Sequence, residues 1–205
     1  MRKALLVAIS SAVLAAGQAA AIEPDLAPGE DIEARLDGDF NGDAEADLAY
    51  IVSSEDRREL RVVLSYKSEV EIGVEPAETL ALEPTGLGPG SLSLEGNVLK
   101  FDDLTGGTTA IASTRRYRYD AARHQLRLIG LDATLYSRTN SHDGFEASWN
   151  LINGDAVTRE LRLNRGSGDE AYLPGPERRF KRRAGPQFLA DSPDPETMLE
   201  EMRGD

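Results

Sequence analysis

Residues 115–131 read RRYRYDAARHQLRLIGL, and this stretch decides the fold class. Before its centre Tyr117 and Tyr119 alternate with arginines, and after it Leu126 and Leu128 alternate with polar residues. Successive side chains of a β-strand point to opposite faces of the sheet, so an alternation of period two indicates a half-buried strand. The stretch therefore predicts two antiparallel strands joined by a tight turn at DAARH.

Strand signals continue on both sides of this hairpin. Asn153-Gly154 is the strongest turn signal, because a two-residue type I′ turn requires positive φ at both central positions. Further strand candidates are 48–52, 59–66, 91–94, 98–101, 148–152 and 156–163. Short strands at short intervals, with no long helical period, predict an all-β fold: a single antiparallel sandwich or open barrel of roughly eight strands.

The composition excludes several classes of protein. The chain has 205 residues, with 36 acidic and 23 basic side chains and a formal net charge of -13. A surface this acidic repels phosphate backbones, so we expect no nucleic-acid partner. The absence of cysteine excludes disulfides, thiolate metal sites, cysteine nucleophiles and a lipid anchor attached through cysteine.

Residues 1–21 read MRKALLVAISSAVLAAGQAAA and have the three parts of a secretory signal peptide. Arg2 and Lys3 form the positive start, residues 4–16 the apolar run, and residues 19–21 the small-residue cleavage site. The apolar run is shorter than the roughly 20 residues that a spanning helix needs. We therefore expect a periplasmic or secreted protein with no transmembrane segment.

The chain after this segment is expected to have three parts. Residues 22–36 are acidic and contain prolines, which favours a leader outside the domain. Residues 37–173 contain the strand signals and form the predicted β-domain. Residues 174–205 begin with a basic, proline-rich stretch and include one short helix candidate behind Asp194, so they predict a largely disordered, flexible tail.

One stretch, residues 37–48, reads DGDFNGDAEADL and has the composition of a metal-binding loop. Oxygen-bearing side chains recur at every second position, and the candidate ligands are Asp39, Asn41, Asp43, Glu45 and Asp47. Calcium takes about 6–8 oxygen ligands, which a tight loop can supply from alternate residues. Carboxylates this close together also repel one another unless a cation lies between them.

Two registers of this loop compete. Counted from Asp37, the residues match the opening of an EF-hand, but Leu48 stands where the bidentate glutamate belongs, so this register fails. Counted from Asp39, residues 39–48 resemble the calcium loops of FG-GAP and VCBS-type repeats, which lead into a strand. The resemblance implies one backbone carbonyl ligand, from Glu45, and four side-chain ligands, which are Asp39, Asn41, Asp43 and Asp47.

Ala44 departs from the family pattern, which usually has glycine at this position. If the position requires positive φ, alanine costs about 1 kcal/mol. The alternative to a calcium loop is a solvated acidic hairpin that descends from such a loop and no longer binds an ion. A second resemblance, of RYRYDAARHQLRLIGLDA and SWNLING to small exported bacterial proteins of unassigned function, implies a fold and a compartment but no catalytic residues.

No enzyme class emerges from the other motifs. His142-Asp143 lies near Ser137 and Ser141, but the chain has no nucleophile-elbow motif, and closeness in sequence does not make a catalytic triad. The sequence therefore predicts an exported, non-enzymatic β-domain with one structural calcium loop. A hydrolase is the least favoured of the alternatives.

The main alternative is a module that binds an envelope glycan or protein partner. Its surface would be a sheet face carrying arginines, which are Arg115, Arg116, Arg118, Arg123 and Arg127, and its aromatic rings would be Tyr117, Tyr119 and Trp149. Those rings are exposed in a binding module and buried in a purely structural domain. A second basic cluster, at 178–183, is expected to be a solvated part of the tail.

Overall fold

The computed structural model describes residues 21–68, 70–166 and 168–204, and within these ranges the chain is all-β, as the alternation predicts. These described residues form fourteen strands, a 3₁₀ turn at Leu189–Asp191 and one helix, α1, at Pro195–Gly204. The strands are β1 Asp31–Gly38, β2 Asp47–Ser53, β3 Arg58–Val63, β4 Ser65–Lys67, β5 Ile72–Val74, β6 Glu78–Ala81, β7 Ser91–Glu95, β8 Val98–Gly106, β9 Thr109–Asp120, β10 Gln125–Ser137, β11 Gly144–Asn150, β12 Asp155–Leu163, β13 Tyr172–Pro174 and β14 Arg178–Lys181. The predicted signal peptide, residues 1–21, lies outside the described residues except for Ala21, and it stays a prediction.

The strands form three antiparallel sheets. The small sheet has the order β1-β2-β3-β6, the large sheet the order β13-β12-β11-β10-β9-β8-β7 with β14 also on β12, and β4 pairs with β5. From β7 to β13 each strand pairs with the next in sequence, so the large sheet is an open meander. The described residues hold more strands than the predicted eight, because short segments such as β5, β6 and β13 show no alternation that the sequence could reveal.

The hairpin predicted at residues 115–131 is confirmed as β9–β10. Tyr119 pairs with Leu126 across the turn, and Tyr117, Leu126 and Leu128 are fully buried. The alternating residues therefore form the inner face of the large sheet, as the period of two predicts.

The turn at Asn153-Gly154 joins β11 to β12 as predicted, but its type differs. Gly154 has a φ of 75°, and its amide donates to the carbonyl oxygen of Asn150 at 2.8 Å. The connection is thus a four-residue turn closed between Asn150 and Gly154, and the expected two-residue type I′ turn is wrong.

The small and large sheets pack on one shared core. Ile51 of β2 and Leu60 of β3 belong to the same buried cluster as Phe101 of β8 and Leu128 of β10. The sheets come close together at Gly90, where an added Cβ would lie 2.7 Å from Ile51 Cδ1 and 2.9 Å from Phe101 Cε2. A side chain here would have to push the two sheets apart, so the sequence needs glycine at this position.

Arg58 connects the two sheets electrostatically. Its side chain is 2% exposed, and Nη2 donates to Glu33 Oε1 on β1 at 2.6 Å and to Asp103 Oδ1 on β8 at 2.9 Å. Glu33 also accepts a hydrogen bond from the amide of Gly90. A buried charge without partners is strongly destabilising, so these contacts fix β1 and β3 against β8.

The prediction of a disordered tail at 174–205 is wrong for the described residues up to Gly204. This segment pairs β14 with β12 and places Leu189, Met198, Leu199 and Met202 in the shared core. Asp194 caps α1 as expected, with Thr197 N donating to its Oδ1 at 2.9 Å. Three apolar residues on one face of α1 are enough to bury it, although the segment is polar overall. No helix in the described ranges is long and apolar enough to cross a bilayer.

The prediction of an acidic leader at 22–36 is also wrong, because these residues belong to the domain. The segment ends in β1, and its first residues cover the outer face of the small sheet, where Ile22 packs on the buried side chains of Tyr50 and Val52. Two of its acids are bound to arginines of β3: Glu33 pairs with Arg58 as described above, and Glu30 accepts from Arg61 at 2.5 Å, which lowers the pKa of Glu30 to about 2. Salt bridges with arginines on β3 therefore hold in place a segment that composition alone places outside the fold.

The carboxylate of Glu78 links β6 to the large sheet. Oε1 of Glu78 accepts from Leu126 N at 2.9 Å, and Oε2 is buried with no hydrogen-bond partner. Burial raises the pKa of Glu78 from 4.5 to about 6. The folded chain therefore binds the proton of the Glu78 carboxyl more tightly than the unfolded chain does. The stability that comes from this protonation is fully present below about pH 4.5 and is lost as the pH rises through about 6.

Glu78→Gln is expected to remove this pH dependence. Glutamine still offers an oxygen to Leu126 N but cannot ionise, so the free energy of unfolding should rise by about 1–2 kcal/mol above pH 6 and change little below pH 4.5. Urea unfolding on both sides of this window measures the effect. Glu83→Gln, at an exposed position, is the matched control, and an equal response of the two variants would contradict the assignment.

Candidate metal centre

The predicted calcium loop joins β1 to β2, two neighbouring strands of the small sheet. The register pairs Gly38 with Asp47, so residues 39–46 leave and rejoin the sheet at one residue pair. Phe40 is buried in the shared core and holds the first half of the loop against the domain. All five candidate ligands therefore lie in this loop or at its closing pair.

The side-chain oxygens of Asp39, Asn41 and Asp43 turn toward the backbone of the loop. Each accepts at least one hydrogen bond from a loop amide. These bonds run from Gly42 N (2.6 Å) and Ala44 N (3.0 Å) to Asp39, from Asp43 N (3.0 Å) to Asn41, and from Glu45 N (2.8 Å) to Asp43. An ionised carboxylate has about four lone-pair positions, so Asp39 and Asp43 keep acceptor capacity after these bonds.

Two residues of the loop adopt the left-handed conformation that favours glycine. The φ angle is 85° at Gly42 and 68° at Ala44. Ala44 occupies the position where the resembled loops usually have glycine, and its left-handed backbone costs about 1 kcal/mol. The tight turn of the loop therefore costs conformational energy at Ala44.

Asp47 has a different environment from the other candidate ligands. Its side chain is buried and accepts four hydrogen bonds, from Phe40 N (2.6 Å), Asn41 N (3.2 Å), Ser65 N (2.7 Å) and Ser65 Oγ (2.9 Å). Burial raises the pKa of Asp47, although these bonds favour its ionised form. Its acceptor positions are therefore filled, and Asp47 anchors the loop to Ser65 at the start of β4.

Glu45, expected to ligate through its backbone carbonyl, places its side chain on a cation from the neighbouring hairpin. Lys67 Nζ donates to Glu45 Oε1 at 2.5 Å. This hydrogen bond, with the charges of Glu45 and Asp43, raises the pKa of Lys67. Lys67 relieves part of the repulsion among the loop carboxylates. Sequence reasoning missed it, since no spacing rule connects Lys67 with a loop 22 residues earlier.

The described residues contain no group of three or more acidic or histidine side chains arranged to hold a metal ion. The side chains that retain acceptor capacity are those of Asp39, Asn41 and Asp43, and they are engaged with loop amides instead of converging on one point. A calcium ion in this loop would need water molecules and backbone carbonyls for part of its coordination, which is typical of weak sites. The donor set is chemically suited to calcium, while its arrangement is that of a self-capped loop.

The other sequence candidates do not assemble into a catalytic pair. His142 Nε2 bonds Thr109 Oγ1 at 2.8 Å, while Ser137 Oγ contacts the hydroxyl of Ser141 at 2.9 Å. The alternative, an Arg/Tyr binding face, requires exposed rings, but Tyr117 and Trp149 are buried and Tyr119 is partly buried.

The basic cluster at 178–183 is largely paired. Lys181 pairs with Asp155 at 2.7 Å, Arg182 pairs with Glu201, and the Arg182 guanidinium also lies 4.8 Å from the centroid of the Trp149 ring. These contacts hold β14 against β12 and α1. Four of the five basic residues of the cluster are nevertheless exposed, so the expectation of a solvated cluster is confirmed, while its place in a flexible tail is wrong.

Ala44→Gly is expected to stabilise the protein by about 0.5 kcal/mol, because relief of left-handed strain exceeds the added entropy of the unfolded chain. Thermal or urea unfolding measures the change. Ala46→Gly is the matched control. Ala46 is exposed in the same loop, so this variant should only raise the conformational entropy of the unfolded chain and lower the stability. Equal destabilisation by the two variants would show that Ala44 is not strained.

Asp47→Ala is expected to destabilise the protein by about 3 kcal/mol or more, because it leaves several buried amides without an acceptor. An anchoring role predicts the same loss in calcium and in EDTA, measured by urea unfolding. A ligand role predicts a loss mainly in calcium. Asp56→Ala, in the exposed turn between β2 and β3, serves as the control.

Comparison with known proteins adds no relative: no family model, no curated protein and no solved structure matches the chain. The likeness to FG-GAP-type loops therefore rests on residues 39–48 alone. The geometry of this chain's own residues is therefore the basis for its proposed function.

Proposed function

We propose that the chain is an exported, non-enzymatic β-domain that binds one calcium ion in the loop at residues 39–47. The observation that carries this proposal is the left-handed backbone at both Gly42 and Ala44. Together these residues keep the side chains of Asp39, Asn41 and Asp43 turned into the loop. An alanine in the left-handed conformation within a tight, oxygen-rich turn favours a cation-binding role over an ordinary solvated hairpin.

The proposed ligands are the side chains of Asp39, Asn41 and Asp43, the backbone carbonyl of Glu45 and water. Asp47, which the resemblance also implies as a ligand, anchors the loop by holding the amides of Phe40 and Asn41. A calcium ion supplies positive charge here and takes up the acceptor positions that the loop amides leave free. With few charged ligands, we expect a Kd of about 10⁻⁴–10⁻³ M, the range of extracellular modules.

The signal-peptide features of residues 1–21 predict export, and this prediction supports the proposal of a weak calcium site. A weak site would be occupied outside the cytoplasm, where calcium reaches such concentrations. The ion would strengthen the closing pair of β1 and β2 and so the attachment of the small sheet. This role requires no reaction and no catalytic side chain.

Calcium is expected to raise the free energy of unfolding by about 2.7 kcal/mol at a free concentration one hundred times the Kd. Asp43→Asn should abolish most of this gain, because asparagine can still accept from Glu45 N but contributes no charge. Urea unfolding in calcium and in EDTA, for both proteins, measures the difference.

Magnesium at the same ionic strength and the variant Asp56→Asn are the controls. Asp56 is exposed and lies in a turn away from the loop, so this variant should keep the full response to calcium. Identical unfolding curves in calcium and in EDTA for the unmutated protein would overturn the proposal.

A further inference from the structure

A cleft with an apolar floor lies where the described part of the chain begins. Its volume is about 260 Å³. The N-terminal segment, the end of the loop at 39–47 and the β4–β5 hairpin form its walls, and the lining residues are Ile22, Glu45, Ala46, Ser65, Ile72, Gly73 and Val74. An apolar cavity of about 150 Å³ holds a benzene-sized group, so this cleft has room for about one or two large aliphatic side chains.

The β4–β5 hairpin turns an apolar face toward this cleft. Ser65 pairs with Val74 and Lys67 pairs with Ile72, so Ile72 and Val74, two positions apart on β5, lie on the same face. Although both line the cleft, Ile72 is 56% exposed and Val74 is 53% exposed. Covering this hydrocarbon surface would be favourable, because burial removes apolar area from water.

Both polar side chains of the lining already have partners. Glu45 Oε1 accepts from Lys67 Nζ at 2.5 Å, and Ser65 Oγ donates to Asp47 Oδ1 at 2.9 Å. The surface that remains open in the cleft is therefore the hydrocarbon of Ile72 and Val74. An occupant has to be apolar, and its charge does not select it.

The described chain covers the outer face of the small sheet up to this cleft. Ile22 packs on the buried outer cluster that includes Tyr50 and Val52, and it also lines the cleft. Ala21, the residue before it, is exposed. The residues that precede Ile22 are therefore tethered at the rim of the cleft, next to the apolar side chains that the described chain leaves uncovered.

The sequence places an apolar segment at the right distance from this tether. The apolar run at residues 4–16 reads ALLVAISSAVLAA, and five residues, 17–21, connect it to Ile22. Five extended residues span up to about 17 Å, so the end of the run can reach into the cleft. A short tether of this kind gives an effective concentration in the millimolar range. The chain's own apolar run is therefore favoured over a separate apolar partner.

We propose that, before residues 1–21 are removed, part of the apolar run at residues 4–16 lies in this cleft and covers Ile72 and Val74, and that removal of residues 1–21 opens the cleft. The cover is made by the same chain and requires no calcium. The opening step rests on the export that the proposed function includes. The domain then exposes an apolar surface only after its N-terminal segment has been removed.

The test uses the absence of cysteine from the chain, which makes a single introduced thiol a specific probe. Val74→Cys places the probe in the cleft, and Leu173→Cys places a control probe on β13, where Leu173 is 48% exposed. Each variant is made in two lengths, residues 1–205 and residues 22–205. The shorter length keeps all fourteen described strands and α1, and melting curves verify that every protein is folded. The rate of reaction with a thiol reagent is measured in EDTA.

The probe at position 74 should react about tenfold more slowly in the longer protein than in the shorter one. This protection corresponds to a cleft that is closed about nine tenths of the time. The control probe at position 173 should react at the same rate in both lengths. Equal rates at position 74 in the two lengths would overturn the proposal.

Two further measurements identify the covering segment. Replacing Leu5, Leu6, Val7 and Ile9 together by serine in the longer protein should restore fast reaction at position 74, because the run then has less apolar surface to bury. Slow reaction in this variant would overturn the role of the run. Protection within one chain should also persist on dilution. Protection that disappears on dilution would overturn the proposal and would indicate that a second copy covers the cleft.

The cover and the calcium loop fail separately. Identical unfolding curves in calcium and in EDTA would overturn the calcium loop and leave the protection at position 74 unchanged. Equal reaction rates in the two lengths would overturn the cover and leave the calcium response unchanged. N-terminal sequencing of the exported protein tests the opening step: we expect the chain to start at Ile22, and a start at Met1 would overturn this step.

Discussion

The buried guanidinium of Arg58 is the contact on which the arrangement of the two sheets depends. It lies between Glu33 of β1 and Asp103 of β8, and all three charges would be costly to bury singly. Because the guanidinium is planar and donates in fixed directions, the positions of both carboxylates are tightly constrained. The sheets meet where Gly90 leaves no room for a side chain, so the ion triad and the close packing select the same geometry.

The buried carboxylate of Asp47 holds the loop in place. Asp47 begins β2 and reaches Phe40 and Asn41 on one side and Ser65 on the other. Since Ser65 begins the β4–β5 hairpin, Asp47 holds the calcium-type loop and this hairpin together. Lys67 of the same hairpin pairs with Glu45 of the loop.

Sequence patterns predict the strands of this protein in which side chains alternate between the core and the solvent. The alternation of Tyr117, Leu126 and Leu128 predicts β9–β10 because each side chain is fully inside. The pattern does not predict the roles of Arg58 and Asp47, because arginine and aspartate next to a turn usually lie in solvent. Their burial depends on partners far along the chain, such as Asp103, 45 residues from Arg58, and no local spacing reports such a partner.

The acidity of the chain also divides according to structure. Glu30 and Glu33 are bound to arginines on β3 in partly buried pairs, and those charges hold the N-terminal segment in the domain. Asp43 and Glu45 instead face the exposed ammonium of Lys67. Arginine in a buried bidentate pair is hard to displace, whereas an exposed lysine is not. The carboxylates of Asp43 and Glu45 therefore remain available to an outside cation such as calcium.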